Sequence, residues 1–212
     1  MSARSPSRQL AQAWPSRRHR DHASKRDAII LAAARAFSRQ GFHQTSLDAI
    51  ARELGISKPT VYYYVQNKEQ LLFECFRAGL AVIEDGLRKA ETMPVSGRER
   101  LELVIRHYVR AVASDFGWCM TRAEDQDLGR ELGGHIRQLK AGIDRGLRAL
   151  IESGIIDGSI CCKEPKMAAF AMAGACNWIA HWYRENQPLT VEELADRFLG
   201  FFNSGLGSPP RP

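Results

Sequence analysis

The stretch TSLDAIARELGISKPTVYYY, residues 45–64, decides the fold of the N-terminal part of this 212-residue chain. A helix is predicted from Thr45, Gly55 marks a tight turn, and a shorter helix follows from Ser57 with Pro59 in its first turn. Six apolar side chains have the spacing of two helices that share a small core, namely Leu47, Ile50, Ala51, Leu54, Ile56 and Val61. The pattern indicates a helix-turn-helix, whose second helix enters the major groove of DNA.

Polar side chains on and around the second helix suit contact with DNA. Hydroxyl and lysine groups bind phosphates and base edges, and the N–H groups at a helix start bind phosphates. Three consecutive tyrosines cannot all face inward on a helix. We expect Tyr63 and Tyr64 at the surface and leave Tyr62 open between surface and core. The predicted DNA contacts are Thr45, Ser46, Ser57, Lys58, Pro59, Thr60, Tyr62, Tyr63, Tyr64 and Lys68.

The rest of the chain also has helical periodicity, and it has no run of alternating β-branched residues. Further helices are predicted at about 24–40, 67–89, 98–116, 132–153, 165–186 and 191–204, with residues 117–131 ambiguous. Capping pairs are predicted at Ser24–Asp27, Thr45–Asp48, Asn67–Gln70 and Thr190–Glu193. The sequence therefore predicts an all-α protein of about nine helices. We divide it into a disordered basic leader (1–23), a DNA-binding domain (24–70) and a larger ligand-binding and dimerisation domain (71–212).

The positive charge of the chain is concentrated at its N-terminus. The formal net charge is +6, and residues 1–26 alone hold seven basic residues and one acidic residue. Such blocks are often arms that touch polyanions, and a solvated tail is the equal alternative. Residues 27–70 have a net charge of only +1, which is a weak footprint for an architectural protein that binds DNA without regard to sequence.

Other classes of function find little support in the sequence. A G-x-S-x-G elbow, a P-loop, an H-E-x-x-H pair and a dinucleotide-binding glycine fingerprint are all missing, so an enzyme is not expected. The five cysteines lack metal-site spacing, and we expect free thiols in the cytoplasm and no metal or cofactor. The longest apolar run, residues 167–183, is shorter than the roughly 20 residues that span a membrane, so no membrane partner is expected.

Residues 24–72 resemble the N-terminal domain of TetR-family transcriptional regulators. The resemblance rests on Ile30–Phe37, Gly41–Phe42, Thr45–Ser46, Ile50–Ala51, Gly55–Ser57, Thr60–Tyr64, Lys68–Glu69 and Leu71. Pro59, Tyr64 and Val65 depart from the family pattern, which leaves the base preference open. The resemblance implies a homodimer on a palindromic double-stranded operator, held together by the last two helices. The interface residues it implies are Phe170, Gly174, Trp178, Leu194, Phe198 and Phe201, with an intramolecular core as the alternative.

The resemblance also implies a small-molecule site in the C-terminal part. The stretch from Cys176 to Asn186 is similar to a branch of the family that responds to acyl-CoA thioesters. The implied ligand residues are Trp118, Met120, Arg137, Leu139, Lys140, Asn177, Trp178, His181 and Trp182. The aromatic members of this set suit a dimer interface equally well, and the basic ones suit a solvated face. The expected function is a dimeric repressor that its ligand, an acyl-CoA or another hydrophobic molecule, releases from DNA.

Overall fold

The computed structural model describes residues 20–123, 125–184 and 187–205. Over these ranges the chain forms nine α-helices, one 3₁₀ turn and no strand, which confirms the all-α prediction. The helices are α1 (Arg20–Gln40), α2 (Leu47–Leu54), α3 (Lys58–Tyr64), α4 (Lys68–Thr92), α5 (Gly97–Ala113), α6 (Gly117–Arg122), α7 (Gly129–Ile156), α8 (Pro165–Trp182) and α9 (Val191–Gly205); the 3₁₀ turn is Asp125–Leu128. Residues 1–19 of the predicted leader lie outside the described part, whereas residues 20–23 belong to α1.

Short-range hydrogen bonds fix the helix-turn-helix. Ser46 caps α2 by accepting a hydrogen bond from the Ala49 N–H, and Ser57 caps α3 in the same way. Gly55 ends α2 with φ at +66°, the left-handed conformation that glycine adopts without steric cost. The predicted Thr45–Asp48 cap is wrong by one residue. The predicted Ser24–Asp27 cap is also wrong, because Ser24 lies inside α1.

The larger part of the chain packs around α4 and α5. These two helices pack on each other and on α7, while α8 and α9 both pack on α5. The predicted Asn67 cap and the Thr190–Glu193 capping box are confirmed at the starts of α4 and α9. A further capping box, Ser96 with Glu99, starts α5. None of the described helices has the length and apolar character needed to span a membrane.

Helix α6 fills part of the region that the sequence left ambiguous. It packs on α1 of the DNA-binding part and on α4, α5 and α8 of the larger part. Gly117 begins this helix, and a Cβ at that position would lie 1.9 Å from the Val112 carbonyl oxygen. This close approach lets α6 sit between the two parts of the chain.

Candidate functional site

Helix α3 presents a polar and aromatic face to solvent. Its buried side chain is Val61, whereas Lys58 and Pro59 are exposed and Tyr63 is 72% exposed. Tyr62 is exposed as well, which answers the question that the sequence left open. Tyr64 is half-buried, contrary to the expectation of a surface position, because it lies three residues after Val61 and shares its inward side.

An acidic residue on α2 holds the lysine of this face. The Lys58 ammonium donates a hydrogen bond to the Asp48 carboxylate at 3.0 Å, and both side chains are more than half exposed. This hydrogen bond raises the pKa of Lys58 above its ordinary value. Water screens an exposed ion pair of this kind and makes it weak, so a DNA phosphate can compete with Asp48 for the ammonium.

Several of the predicted DNA contacts serve the scaffold. Thr45 is only 2% exposed, and its hydroxyl donates to the Gly41 carbonyl at 2.8 Å, which corrects its assignment as a DNA contact. The Lys68 ammonium donates to the Phe42 and His43 carbonyls at 3.0 and 3.3 Å, so it holds the loop before α2. The hydroxyls of Ser46, Ser57 and Thr60 take part in helix capping, as the hydrogen bonds at both helix starts show.

The larger part of the chain contains a cavity of about 240 Å³ among five helices. It is lined by Leu80 of α4, Tyr108 of α5, Met120 and Thr121 of α6, Lys140 and Ile143 of α7, and Asn177 of α8. Three of the predicted ligand residues come together here, namely Met120, Lys140 and Asn177. The other four lining residues were not predicted. Apolar and polar groups converge in this cavity as they do in small-molecule sites.

Partly buried hydrogen bonds organise the polar side of this cavity. The Tyr108 hydroxyl donates to Asn177 Oδ1 at 3.1 Å, and burial raises the pKa of this phenol well above its ordinary value. The Thr121 hydroxyl donates to the Gly117 carbonyl at 2.8 Å. The Lys140 ammonium lies 5.0 Å from the centre of the Phe76 ring. At neutral pH the Tyr108 phenol therefore keeps its proton inside the cavity.

The remaining predicted ligand residues lie elsewhere. Trp118 lines two other cavities, of about 120 and 250 Å³, that both include residues of the DNA-binding part. Arg137 is exposed and Leu139 is half-buried on α7, and neither lines the cavity of Lys140. Trp178 and Trp182 are exposed on α8, and Trp178 stacks on His181 with ring centres 4.4 Å apart. These positions correct the assignment of both tryptophans and His181 to the cavity.

Apolar residues are exposed along one side of α8, and a further one is exposed on α9. We call these positions together the α8–α9 face and define it by Met167, Phe170, Gly174, Trp178, Trp182 and Phe201, all exposed. Phe198 is half-buried beside it. Leu194 is only 2% exposed and belongs to the core of the chain, which corrects its prediction as an interface residue. Exposed apolar clusters of this kind mark interaction sites.

An ion pair and a histidine–carboxylate contact join the DNA-binding part to the segments that flank α6. Arg35 of α1 binds Asp115 just before α6, with Nε and Oδ2 2.9 Å apart. His43, in the loop before α2, lies 3.0 Å from the buried Asp127 just after α6. Met120 and Thr121 lie on α6 between these two pairs and line the cavity. The two pairs thus connect the segments that flank α6 to α1 and to the loop before α2.

Comparisons with known proteins match nearly the whole described chain. Residues 29–75 match the family model of the bacterial regulatory proteins of the tetR family. Residues 94–206 match the model of the tetracyclin repressor-like C-terminal domain. The order of the two matches agrees with the prediction of an N-terminal helix-turn-helix domain followed by a larger helical domain.

The relatives found are transcription regulators. RutR of Escherichia coli is 30% identical over 202 residues, which cover 92% of this chain and 91% of RutR. The fatty acid metabolism regulator protein of Bacillus subtilis is 25% identical over 183 residues, or 84% of this chain and 93% of the relative. The crystal structure of AibR in complex with isovaleryl coenzyme A and operator DNA is 28% identical, with a TM-score of 0.72, and the match covers 84% of this chain and 97% of AibR.

Proposed function

The chain belongs to the TetR family of bacterial regulatory proteins, and we propose that it is a dimeric repressor that an acyl-CoA thioester releases from its operator. Family membership makes it a DNA-binding transcriptional regulator. The main support for the proposal is that α6 lines the Lys140 cavity and that the residues flanking α6 contact the DNA-binding part. We further propose that it acts in the cytoplasm, where its DNA lies.

The proposed DNA contacts are the exposed residues of α3. Lys58, Tyr62 and Tyr63 stand clear of the core, and Pro59 lies beside them. In a helix-turn-helix such side chains reach the base edges of the major groove. We place the boundary of the DNA-binding domain near residue 70, inside α4, so that a single helix connects the operator contacts with the effector domain.

The proposed release mechanism uses the position of α6. An effector in the cavity touches Met120 and Thr121, while the pairs Arg35–Asp115 and His43–Asp127 attach the same short helix to the DNA-binding domain. An effector shifts the arrangement of the domains only if it binds one arrangement more tightly than the other. We propose that the effector favours an α6 position in which the two α3 helices of a dimer no longer match the operator.

The proposed dimer forms through the α8–α9 face. One α3 helix reads only a few base pairs, whereas two helices related by a two-fold axis read a palindrome. The α8–α9 face supplies large apolar side chains beside the small Gly174, where a second helix can approach closely. Its exposure in the single chain supports the proposal that a second copy covers it.

Two kinds of relative support the acyl-CoA class of effector. AibR was crystallised with isovaleryl coenzyme A, and the Bacillus subtilis relative is named for fatty acid metabolism. In this chain the cavity offers Leu80, Met120 and Ile143 to an acyl group. Such a ligand divides into an acyl part that enters the cavity and a nucleotide part that stays outside.

The test measures operator affinity with and without the effector. Operator DNA is obtained by selection from random duplexes, and its binding is followed by fluorescence anisotropy. Isovaleryl-CoA is expected to weaken binding by about 5- to 150-fold, the usual range of allosteric coupling. Free CoA is the control. If no acyl-CoA changes the affinity, the effector assignment is wrong.

A pair of variants tests the DNA contacts separately. Lys58→Ala should lose operator affinity while the protein stays folded and dimeric. Lys163→Ala, an exposed lysine in the loop before α8, is the matched control and should bind like the wild type. Equal operator affinity in the two variants would contradict the role of α3.

A further inference from the structure

A second cavity lies where the DNA-binding part meets α6, and we call it the junction cavity. Its volume is about 250 Å³. The residues that line it include Gln40, Phe42 and Gln44 on one side, and Trp118, Arg122 and Asp127 on the other. An apolar cavity of about 150 Å³ holds one benzene molecule, so at the same packing the junction cavity holds about ten non-hydrogen atoms. This size suits one bicyclic ring, and a larger ligand must extend beyond the cavity.

Two aromatic rings form the apolar part of the junction cavity. Phe42 is buried, and the Lys68 ammonium lies 4.3 Å from the centre of its ring. Trp118 of α6 is half-buried, so part of its indole ring is accessible. A planar aromatic ligand can stack on such a ring, and the stacking of a nucleic-acid base on an aromatic side chain strengthens binding by about 5- to 150-fold.

Two glutamine amides add hydrogen-bonding groups to these rings. The Gln40 amide nitrogen donates to the Thr45 hydroxyl at 3.2 Å, which leaves the Gln40 carbonyl oxygen as an acceptor. Gln44 is exposed and carries both N–H donors and a carbonyl acceptor. A glutamine amide pairs with adenine through two hydrogen bonds, because adenine presents an acceptor at N7 and a donor at its amino group. Adenine is also a planar bicyclic ring of the size that the cavity holds.

The charged residues of the junction cavity suit the two ends of a nucleotide. Arg122 is exposed at the end of α6, and a guanidinium binds phosphate through two parallel hydrogen bonds. Asp127 is buried, and its carboxylate lies 3.0 Å from His43 Nε2. A carboxylate repels phosphate and accepts hydrogen bonds from N–H donors. The Asp127 side therefore suits the amino group of the base, and the exposed Arg122 suits the phosphates.

We infer that the junction cavity binds an adenine nucleotide, with the base stacked on Trp118 and the phosphates on Arg122. A CoA thioester carries such a nucleotide at the end opposite its acyl group. The identification of the occupant with this end of CoA rests on the proposed function, whereas a free adenine nucleotide offers the same chemistry without it.

Helix α6 separates the junction cavity from the Lys140 cavity. Thr121 lines the Lys140 cavity and the next residue, Arg122, lines the junction cavity, so the two cavities lie on different sides of the last turn of α6. The pantetheine arm of CoA has the chain length of about four residues, or roughly 14 Å when extended. A helix with its side chains is about 10–12 Å across. One CoA thioester is therefore long enough to fill both cavities around the end of α6.

The test compares four ligands on the full-length protein by isothermal titration calorimetry. Isovaleryl-CoA should bind about 5- to 150-fold more tightly than isovaleryl-pantetheine, which keeps the acyl group and the arm but lacks the nucleotide. ADP should bind as well. GDP should bind about 5- to 150-fold more weakly than ADP, because guanine presents an acceptor oxygen where adenine has its amino group.

Variants at two exposed positions complete the experiment. Arg122→Ala removes the phosphate contact, so it should weaken the binding of isovaleryl-CoA and ADP at least about tenfold and leave isovaleryl-pantetheine unchanged. Gln44→Ala should reduce the preference for ADP over GDP. Arg145→Ala and Gln138→Ala are the matched controls, because both residues are exposed on α7 and line neither cavity. Thermal unfolding verifies that all four variants fold.

The outcomes separate this inference from the proposed function. If Arg122→Ala binds isovaleryl-CoA and ADP like the wild type, or weakens isovaleryl-pantetheine equally, the nucleotide site is overturned while the acyl-CoA repressor stands. If ADP binds through Arg122 and isovaleryl-CoA does not bind, the site stands with a free nucleotide as its ligand and the proposed effector class falls. If isovaleryl-CoA depends on Arg122 and ADP does not bind, CoA is the source of the nucleotide. If neither binds, both proposals fall.

Discussion

Replacement of Trp178 by alanine should separate the subunits of the proposed dimer. Trp178 is 63% exposed in the single chain. An aromatic side chain covers roughly 150–250 Å², so the exposed part amounts to about 120 Å² and to about 3 kcal/mol of hydrophobic free energy. A two-fold interface contains the residue twice, which doubles the upper bound to about 6 kcal/mol.

The measurable loss is smaller than this bound. Association also costs side-chain and rigid-body freedom, so we expect about half, or about 3 kcal/mol, which weakens the dimer by roughly two orders of magnitude. Sedimentation velocity over a dilution series measures the dimer dissociation constant. The free energy of unfolding of the monomer should change little, because most of the Trp178 side chain is exposed in the single chain.

Ile156→Ala is the matched control for this prediction. Ile156 is 87% exposed at the end of α7 and lies outside the α8–α9 face. It should leave the dimer constant unchanged if the face, and not apolar exposure in general, holds the subunits together. A Trp178→Ala protein that dimerises as tightly as the wild type would refute the assignment.

Three further predictions concern DNA affinity, packing and pH. Asp48→Asn removes the carboxylate that holds the Lys58 ammonium, so operator binding should tighten. The slope of the logarithm of the binding constant against the logarithm of the salt concentration should steepen by about 0.9, as expected for one added phosphate contact. An unchanged slope in anisotropy titrations would contradict this prediction. Gly97→Ala places a Cβ 2.3 Å from a backbone nitrogen of α7 and should cost about 1–3 kcal/mol or more in chemical unfolding. Gly142→Ala, which meets only the end of an arginine side chain, should be neutral or stabilising. The Asp157 carboxylate has a lowered pKa because it accepts hydrogen bonds, first from the Ser159 hydroxyl and also from the Gly97 N–H. Its contribution to stability is present at neutral pH and is lost as the pH falls through that lowered pKa. The stability gap between wild type and Asp157→Asn should therefore close in acid, and a constant gap from neutral to acid pH would show that the carboxylate charge plays no part.

The periodicity of apolar residues located the long helices because each helix buries one side along its length. The ends of helices were less predictable, because contacts with residues outside the helix determine where it stops. The predicted helix at 165–186 ends at Trp182, after which Tyr183 adopts an extended conformation and its hydroxyl donates to the Leu189 carbonyl at 3.0 Å. Helix α6 depends on the close contact between Gly117 and Val112, which no local pattern reveals.

The proposed DNA-contacting residues were predictable from the sequence because they lie in one short segment. Lys58, Tyr62 and Tyr63 belong to a single seven-residue helix, and their exposure follows from the period of that helix. Thr45 and Lys68 could not be assigned from type alone, because a hydroxyl or an ammonium binds a carbonyl as readily as a phosphate.

The Lys140 cavity was only partly predictable from the sequence. Its lining comes from five helices separated by up to a hundred residues of sequence, and Tyr108 enters it through a hydrogen bond to Asn177 on another helix. Spacing along one helix grouped Asn177 with Trp178 and Trp182, yet each residue turns the direction of the side chain by about 100°. Asn177 therefore lines the cavity, whereas Trp178, the next residue, lies on the outer surface.

Helix α3 attaches to the rest of the protein through very little of its own surface. Val61 is its buried side chain among the described residues, and the outward residues pair with other surface groups. Substitutions at those outward positions thus cost little stability, since surface changes usually remain within about 0.5 kcal/mol. Drift at such positions after gene duplication can therefore change the DNA sequence that the protein reads while the rest of the fold stays intact.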